Sequence, residues 1–421
     1  MKAQEAVRDF PAALRECANF AKKGIVDICK TIGPRPNGSE QERKAQERMA
    51  GQLKKYADKV DIEDFKVSPY AFMGWILVDV VLVSVAALLY LLPLFWDASP
   101  TWLQWVSLGL VACAIFIVIM EFLFYKPFLD PFFRKKNSCN VVATYNAEET
   151  ATQRIVFSGH ADSAMEWRFT YWGGPPLLIG SVVISFVGFF VTLIASALFA
   201  FGVFNPAAGF GAVLKWVLIG WIPLYLFCTL FCDWKKFVQG ANDNLTGCYG
   251  AIAVLKFLKD NNIRFKNTEV LAVTTGGEES GLRGAKAYCK AHAADDKKID
   301  TVFVGLETFR DYEHMAIYER DMTGTVKNSD IACALVKRGS QWAGLDLKYE
   351  SVFFGSSDAA AISQAGIHAT TLASMDPAPA RYYHTRLDTW DNLDFRTLEK
   401  GIEVAIQTAF VFDQYGLKQP D

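Results

Sequence analysis

Four stretches of this chain are long and apolar enough to cross a bilayer: roughly Phe72 to Phe95, Trp102 to Tyr125, Leu177 to Phe204 and Gly211 to Phe231. A helix rising ~1.5 Å per residue needs about 20 apolar residues to span the hydrocarbon, and each stretch has them. Only Trp96 to Thr101 and Asn205 to Phe210 separate the members of each pair, so the four read as two helical hairpins. Asp79 falls inside the first span and Glu121 near the end of the second, where a bare charge is costly; each must be paired, protonated or near water. For Asp79 an interhelical hydrogen bond explains the residue as well as a functional role does. The composition agrees, since 52% hydrophobic and 14% aromatic residues exceed what the core of a soluble domain requires.

Lys126, Arg134, Lys135, Lys136, Arg168, Lys235 and Lys236 flank the outer ends of the hairpins, and the tips carry no basic residue. This bias predicts an integral membrane protein of four spans with both termini and all the polar regions cytoplasmic. Met1 to Phe20 shows no apolar run of the secretion-signal kind. The nine cysteines form no Cys-x-x-Cys and suit a reducing compartment. With 43 basic against 45 acidic residues, no field draws the chain to nucleic acid.

Removing the hairpins (69–125 and 173–232) leaves 1–68, 126–172 and 233–421, together the size of one domain. Short β-branched runs recur there at Asp61 to Val67, Asn140 to Tyr145, Arg154 to Phe157, Glu269 to Thr274, Thr301 to Val304 and His368 to Ala373. Amphipathic stretches separate several of them: Ser39 to Tyr56, opened by a Ser39/Glu42 capping box, Leu245 to Lys259, Leu282 to His292, Ser329 to Arg338, Asp358 to Ala365 and Asp394 to Phe412. The alternation predicts an α/β fold, a mostly parallel mixed sheet sandwiched by helices, with its site at the carboxyl ends of strands.

Acids and histidines gather at those ends. Arg154-Ile-Val-Phe-Ser-Gly-His160-Ala-Asp162 closes a buried strand with a histidine and a carboxylate able to hold its ring. In Gly240-Ala-Asn-Asp243-Asn-Leu-Thr-Gly247, Asp243 taken alone reads as a helix cap, and the company of the other motifs turns the reading to a ligand. Val270-Leu-Ala-Val-Thr-Thr-Gly-Gly-Glu278-Glu279-Ser-Gly puts two acids on a glycine-rich turn after a strand; one can bind a metal while the other takes a proton from metal-bound water. Glu307 ends a further strand, and His384 lies in the late loop Tyr382-Tyr-His384-Thr-Arg-Leu-Asp388. Histidine and carboxylate ligands suit zinc, and the five ligands suffice for two ions held ~3.5 to 4 Å apart. His292, His314 and His368 adjoin no second ligand type and read as structural.

The order His-x-Asp, Asp-Asn-x-x-Gly, Gly-Glu-Glu-x-Gly, acid, His-Thr-x-x-Asp-Thr resembles the di-zinc exopeptidases, a family of bacterial leucyl aminopeptidases and glutamate carboxypeptidase, with glutaminyl cyclases and the transferrin receptor as divergent relatives. Ile32-Gly-Pro-Arg-Pro-Asn-Gly-Ser39-Glu and the strand at Asn140 look like the family's opening as well. The resemblance implies two Zn2+ ions bridged by Asp243, with His160 and Glu307 on one and Glu279 and His384 on the other. It makes Glu278 the general base and Asp162 the residue that orients His160. Two departures stand out: Glu307 where the family more often has Asp, and Ala161 in place of a larger residue. Ser357-Asp358 resembles the family's Ser-Asp segment, with different neighbours.

His160 and Asp243 must meet in space although the second hairpin lies between them, and an even number of crossings returns the chain to the same side. The expected activity is removal of N-terminal residues from peptides, hydrophobic or membrane-derived ones in particular, because the hairpin leaves from a loop at the catalytic edge. A carboxypeptidase is the alternative, with Arg310, Arg381 and Arg386 as candidate partners for a substrate carboxylate. A silent receptor would have lost ligands, a cyclase is expected to need one zinc, and a transporter would need more intramembrane charge.

Overall fold

The computed structural model describes residues 11–94, 101–352, 354–378 and 380–418, so the expected turn at Trp96 to Thr101 lies, but for Thr101, outside the described residues. The chain divides into two compact units: Met1–Pro69, Lys135–Glu166 and Lys235–Asp421 form one, Tyr70–Arg134 and Trp167–Trp234 the other.

In the first unit the β-branched runs become strands β1 (Lys59–Val67), β2 (Lys136–Tyr145), β3 (Gln153–His160), β6 (Thr268–Thr275), β7 (Asp300–Glu307) and β11 (His368–Ser374). With β8 (Met315–Asp321), β9 (Val326–Lys327) and β10 (Lys348–Ser351) they form one nine-stranded sheet, ordered β1-β2-β6-β3-β7-β11-β8-β10 with β9 on β8. The central run β6-β3-β7-β11 is parallel, and the β1/β2, β2/β6 and β11/β8 pairs are antiparallel. Two short strands, β4 (Met165–Trp167) and β5 (Cys232–Phe237), pair separately. The mixed α/β fold class expected from the sequence is borne out. β8 and β10 escaped the sequence reading because Met-Ala-Ile-Tyr-Glu-Arg-Asp and Lys-Tyr-Glu-Ser lack β-branched runs.

Six helices lie at the expected places: α2 (Glu40–Leu53), α7 (Thr246–Asp260), α8 (Arg283–Asp296), α9 (Asp330–Trp342), α10 (Asp358–Gln364) and α11 (Phe395–Tyr415). A seventh, α1 (Pro11–Thr31), was not anticipated; Leu14, Cys17, Ala18, Ala21, Ile25 and Ile28 are its buried face, at the three-and-four spacing of an amphipathic helix. Ser39 caps α2 as expected by accepting the Glu42 N–H at 3.1 Å. The Glu42 carboxylate does not close the box on Ser39: it accepts from Gly38 N at 2.7 Å and Gly277 N at 3.1 Å.

α7 lies against β3 so closely that a Cβ on Gly159 would sit 2.3 Å from Cys248 N and 2.4 Å from the Gly247 carbonyl carbon. Both obstacles are backbone and cannot swing aside. Gly159→Ala is therefore expected to destabilise the unit by about 3 kcal/mol, the upper end for overpacking, read as a lowered midpoint in thermal unfolding; an unchanged midpoint would contradict this packing.

The second unit carries α3 (Ala71–Leu88), α4 (Trp102–Val118), α5 (Arg168–Ala200) and α6 (Gly209–Cys228), and four helices here are long and apolar enough to cross a membrane. Within α5 the chain breaks at Gly174, φ +63°, ahead of Pro175 and Pro176, so the continuous helix starts close to the Leu177 expected from hydropathy. Polar side chains tie the helices together: Ser107 Oγ donates to Ala86 O at 3.0 Å and lies 3.2 Å from Ser196 Oγ, and Thr192 Oγ1 lies 3.0 Å from Tyr225 Oη. Glu121 Oε1 accepts the Leu129 N–H. Asp79 is buried, and neither of its oxygens has a hydrogen-bond partner among the described residues, so the interhelical bond expected of it is not formed.

Candidate metal centre

Register alone brings the key residues to one edge. His160 ends β3 opposite Thr275, the last residue of β6, so the turn carrying Glu278 and Glu279 starts beside it. On the other flank Ser158 pairs with Gly305, two residues short of both His160 and Glu307. Asp243 precedes α7, and His384 comes from the loop after β11 with φ +52°.

Asp243 faces both histidines, one oxygen to each: Oδ1 lies 3.1 Å from His160 Nε2 and Oδ2 lies 3.0 Å from His384 Nε2. Glu279 Oε1 is 3.2 Å from His384 Nε2, Glu307 Oε1 is 3.6 Å from His160 Nε2, and Glu278 Oε2 is 3.8 Å from the same nitrogen. His160, Asp243 and Glu279 offer ligand atoms within 4.8 Å of one another. The structure thus brings all five proposed ligands and Glu278 together. His292 bonds Glu63 and His368 bonds Ser329, and neither joins the cluster.

The cap reading of Asp243 falls away, because the N-terminus of α7 is held by its neighbour: Asn244 Oδ1 accepts Gly247 N at 2.9 Å and Thr308 N at 3.2 Å, while Asn244 Nδ2 donates to Leu306 O at 2.8 Å. Asp388, the last acid of the His384 motif, accepts Asn242 N and Asn242 Nδ2 at 2.8 Å each and Asp243 N at 3.2 Å. Asp162 does more than the sequence suggested. Its main-chain oxygen lies 3.3 Å and its Oδ1 3.5 Å from His160 Nδ1, and its two carboxylate oxygens accept Glu278 N and Glu279 N at 3.1 Å each. One residue therefore sets both the His160 ring, through its carbonyl and its carboxylate, and the acidic turn.

Two further residues escaped sequence reasoning, Tyr383 because nothing in its motif marks it out from Tyr382 and Asn37 because its partner is remote in the chain. The Tyr383 ring stacks on His384 with centroids 3.9 Å apart. Asn37 Nδ2 donates to Ser280 Oγ at 2.7 Å beside the acidic turn. Arg386 and Arg310, proposed as cations for a substrate carboxylate, are engaged elsewhere: Arg386 Nη2 donates to the buried Glu166 Oε2 at 2.8 Å, and Arg310 Nη2 to Asn392 Oδ1 at 2.9 Å. Glu278, Glu307, His160, Asp243 and His384 open on a cleft also lined by Tyr318, Val352, Phe354, Met375 and Tyr383.

The electrostatics fit a bound cation. Burial opposes charge on His384, yet Glu279 and Asp243 push it up to about 10; His160 is raised in the same way, with Glu278 leading against burial. Burial pushes Glu307 up to about 7 despite His160, and lifts Glu278 and Glu279 as well. Asp243 is held low because hydrogen bonds from both histidines outweigh its burial. Two imidazoles cannot neutralise four clustered carboxylates. Asp243 Oδ2 and Glu279 Oε1 moreover both face the single nitrogen His384 Nε2, so a nitrogen and two carboxylate oxygens converge on one point. The donor set of nitrogen and oxygen suits zinc.

A sign follows for the metal-free protein. Glu307, Glu278, Glu279 and both histidines hold protons more tightly folded than unfolded, so stability is lost as pH rises above their unfolded values. Chelator-stripped protein is expected to lose thermal stability steadily from about pH 5 to about pH 9, while the increment given by added Zn2+ grows over the same range as the ligands deprotonate. A flat profile for the stripped protein would count against this cluster.

Residues 229–409 match the profile of Peptidase family M28. Among solved structures the chain is similar to a zinc aminopeptidase from Bacillus subtilis (14% identity, 94% of this chain and 95% of that one, TM-score 0.54). It is also similar to an aminopeptidase from Aneurinibacillus sp. strain AM-1 (14%, 97% and 95%, 0.52) and to a glutaminyl cyclase from an Acidobacteriales bacterium (13%, 95% and 95%, 0.54). No curated protein matches the sequence. At these identities the likeness shows the fold, and with the family match it bears out the resemblance to the di-zinc exopeptidases that the motifs carry.

Proposed function

We propose that this chain, with its M28 segment at 229–409, is a membrane-anchored metallopeptidase that holds two zinc ions and releases N-terminal residues from peptides. The observation that carries this reading is the Asp243 carboxylate set between His160 and His384, one oxygen to each. Asp243 would bridge the two ions, His160 and Glu307 would hold one, and Glu279 and His384 would hold the other. Bound zinc supplies Lewis acidity and an activated water. Glu278 accepts the proton from that water and passes it to the leaving amine. Tyr383, whose ring stacks on His384 and which lines the cleft, is the candidate donor for the developing oxyanion.

An aminopeptidase is favoured over a carboxypeptidase by the cleft itself, because none of the described residues lining it is Lys or Arg. Tyr318, Val352, Phe354 and Met375 support a preference for apolar N-terminal side chains. The second membrane insert starts at Trp167, five positions after Asp162, which supports hydrophobic or membrane-derived peptides as substrates. Cytoplasmic sidedness rests on the basic residues at the outer ends of the spans.

The test is a panel of free and N-acetylated peptides, one with N-terminal glutamine, given to detergent-purified zinc-loaded protein. Amino-acid release from free N-termini alone supports the reading. Cleavage of acetylated peptides would point to a carboxypeptidase, and pyroglutamate formation from the glutamine peptide to a cyclase. A protease site placed between Asn205 and Phe210 should be cut only from the side opposite the termini; cutting on the same side would overturn the sidedness.

A further inference from the structure

We propose that Arg35 is a positioning residue that holds the loops bearing His160 and Asp243 together across the second membrane insert. This rests on the metal-centre reading above. Arg35 lies in the Gly33-Pro-Arg35-Pro stretch, has no direct part in that chemistry, and is fully buried at 0% exposure.

Its guanidinium bonds both of the segments that flank the insert in sequence. Nε donates to Ala161 O at 2.6 Å, one residue after His160. Nη1 donates to Gln239 O at 2.6 Å, and Nη2 to Gly240 O at 2.9 Å, three residues before Asp243. A fourth bond, Nη1 to Gly33 O at 3.1 Å, closes the fork on its own segment. The main chain adds a reciprocal pair: Arg35 N donates to Ser163 Oγ at 2.9 Å, and Ser163 N donates to Arg35 O at 3.0 Å.

All four acceptors of the guanidinium are neutral carbonyls. Burying a permanent charge among neutral dipoles costs desolvation with no ion pair among the described residues to offset it, so a fold needing only packing here is better served by an apolar side chain. What the guanidinium uniquely offers is a rigid planar fork whose donors diverge toward separate carbonyls; lysine delivers the same charge from one point. The site is built tightly around the fork. Gly240 has φ +60°, and a Cβ there would lie 2.9 Å from Arg35 Nη2 and 2.7 Å from Asp243 O. His160 and Asp243 are 83 positions apart, and the lateral spacing of their loops is therefore set by bonds such as these.

Full-length protein in detergent tests this with Co2+ as the probe, its affinity measured by competition with a chromogenic chelator and its site geometry by the visible ligand-field spectrum. Arg35→Lys is expected to weaken Co2+ binding by roughly 10–100-fold, the usual effect of losing a ligand's support, and to alter the spectrum. Ser163→Ala, a milder change should Arg35→Lys fail to fold, is expected to weaken binding several-fold. Arg154→Lys is the control, because Arg154 is largely buried against Glu269 and Asp296; it is expected to lower thermal stability and leave Co2+ affinity unchanged. Wild-type affinity and spectrum in folded Arg35→Lys, or in Ser163→Ala where Arg35→Lys does not fold, would overturn the proposal and leave Arg35 a purely structural residue. The same losses in Arg154→Lys would overturn it too. Absence of Co2+ binding by the wild-type chain would instead overturn the metal-centre reading on which it rests.

Discussion

Glu278→Gln is expected to lower kcat by about 10²–10⁴-fold, the range for loss of a general base, with bound zinc and KM close to wild type. Two adjacent acids on one turn divide their work by direction. Glu279 Oε1 points at His384 Nε2 from 3.2 Å and shares that ring with Asp243, whereas Glu278 Oε2 stands 3.8 Å from His160 Nε2 and lines the cleft. Neither side chain sets the turn; the Asp162 carboxylate does, by accepting both main-chain N–H groups, so glutamine can enter at 278 without moving its neighbour. Glutamine keeps the shape but cannot take a proton. Glu279→Gln should behave differently, with zinc lost and activity falling as a consequence. Steady-state kinetics beside metal analysis separates the two, and a Glu278→Gln enzyme that keeps about a tenth or more of kcat would move the base elsewhere.

The fold was legible where the chemistry is local. A β-branched run that ends in glycine and a polar residue marks a buried strand and its carboxyl end, and His160 and Glu307 sit at such ends. The hydropathy of the four long apolar helices is equally local, which is why they separate from the polar segments by eye. Support for the site was not legible, because it depends on hydrogen bonds between distant parts of the chain. Asp388 reaches Asn242 across 146 positions and Arg35 reaches Gly240 across 205, and no periodicity encodes either. Asp162 was assigned to the His160 ring since that ring is two residues away; its bonds to Glu278 and Glu279 appear only once β3 and β6 lie side by side. Arg310 and Arg386 looked available as cations because a sequence does not disclose that Asn392 and Glu166 already engage them.

The second large effect is expected at Asp243. If its carboxylate joins two ions, Asp243→Asn replaces one ligating oxygen by an amide nitrogen that cannot ligate and removes the negative charge that both ions share. His160→Ala strips a ligand from one ion and should leave the other; the bridge serves both. Bound zinc is therefore expected to fall from two per chain to one or fewer in Asp243→Asn, with hydrolysis down by about 10³-fold or more, since the metal-activated water and the oxyanion's Lewis acid go together. The framework around it should survive, because Asp388 accepts the Asp243 main-chain N–H and both donors of Asn242, bonds that do not involve the altered side chain. Retained helical content with lost zinc is then the signature of a ligand rather than of a misfolded protein. Metal analysis decides the count as well: one zinc in the wild-type chain, unaffected by His160→Ala and removed by Asp243→Asn, would refute the two-ion centre and shift the chemistry toward that of a mononuclear relative.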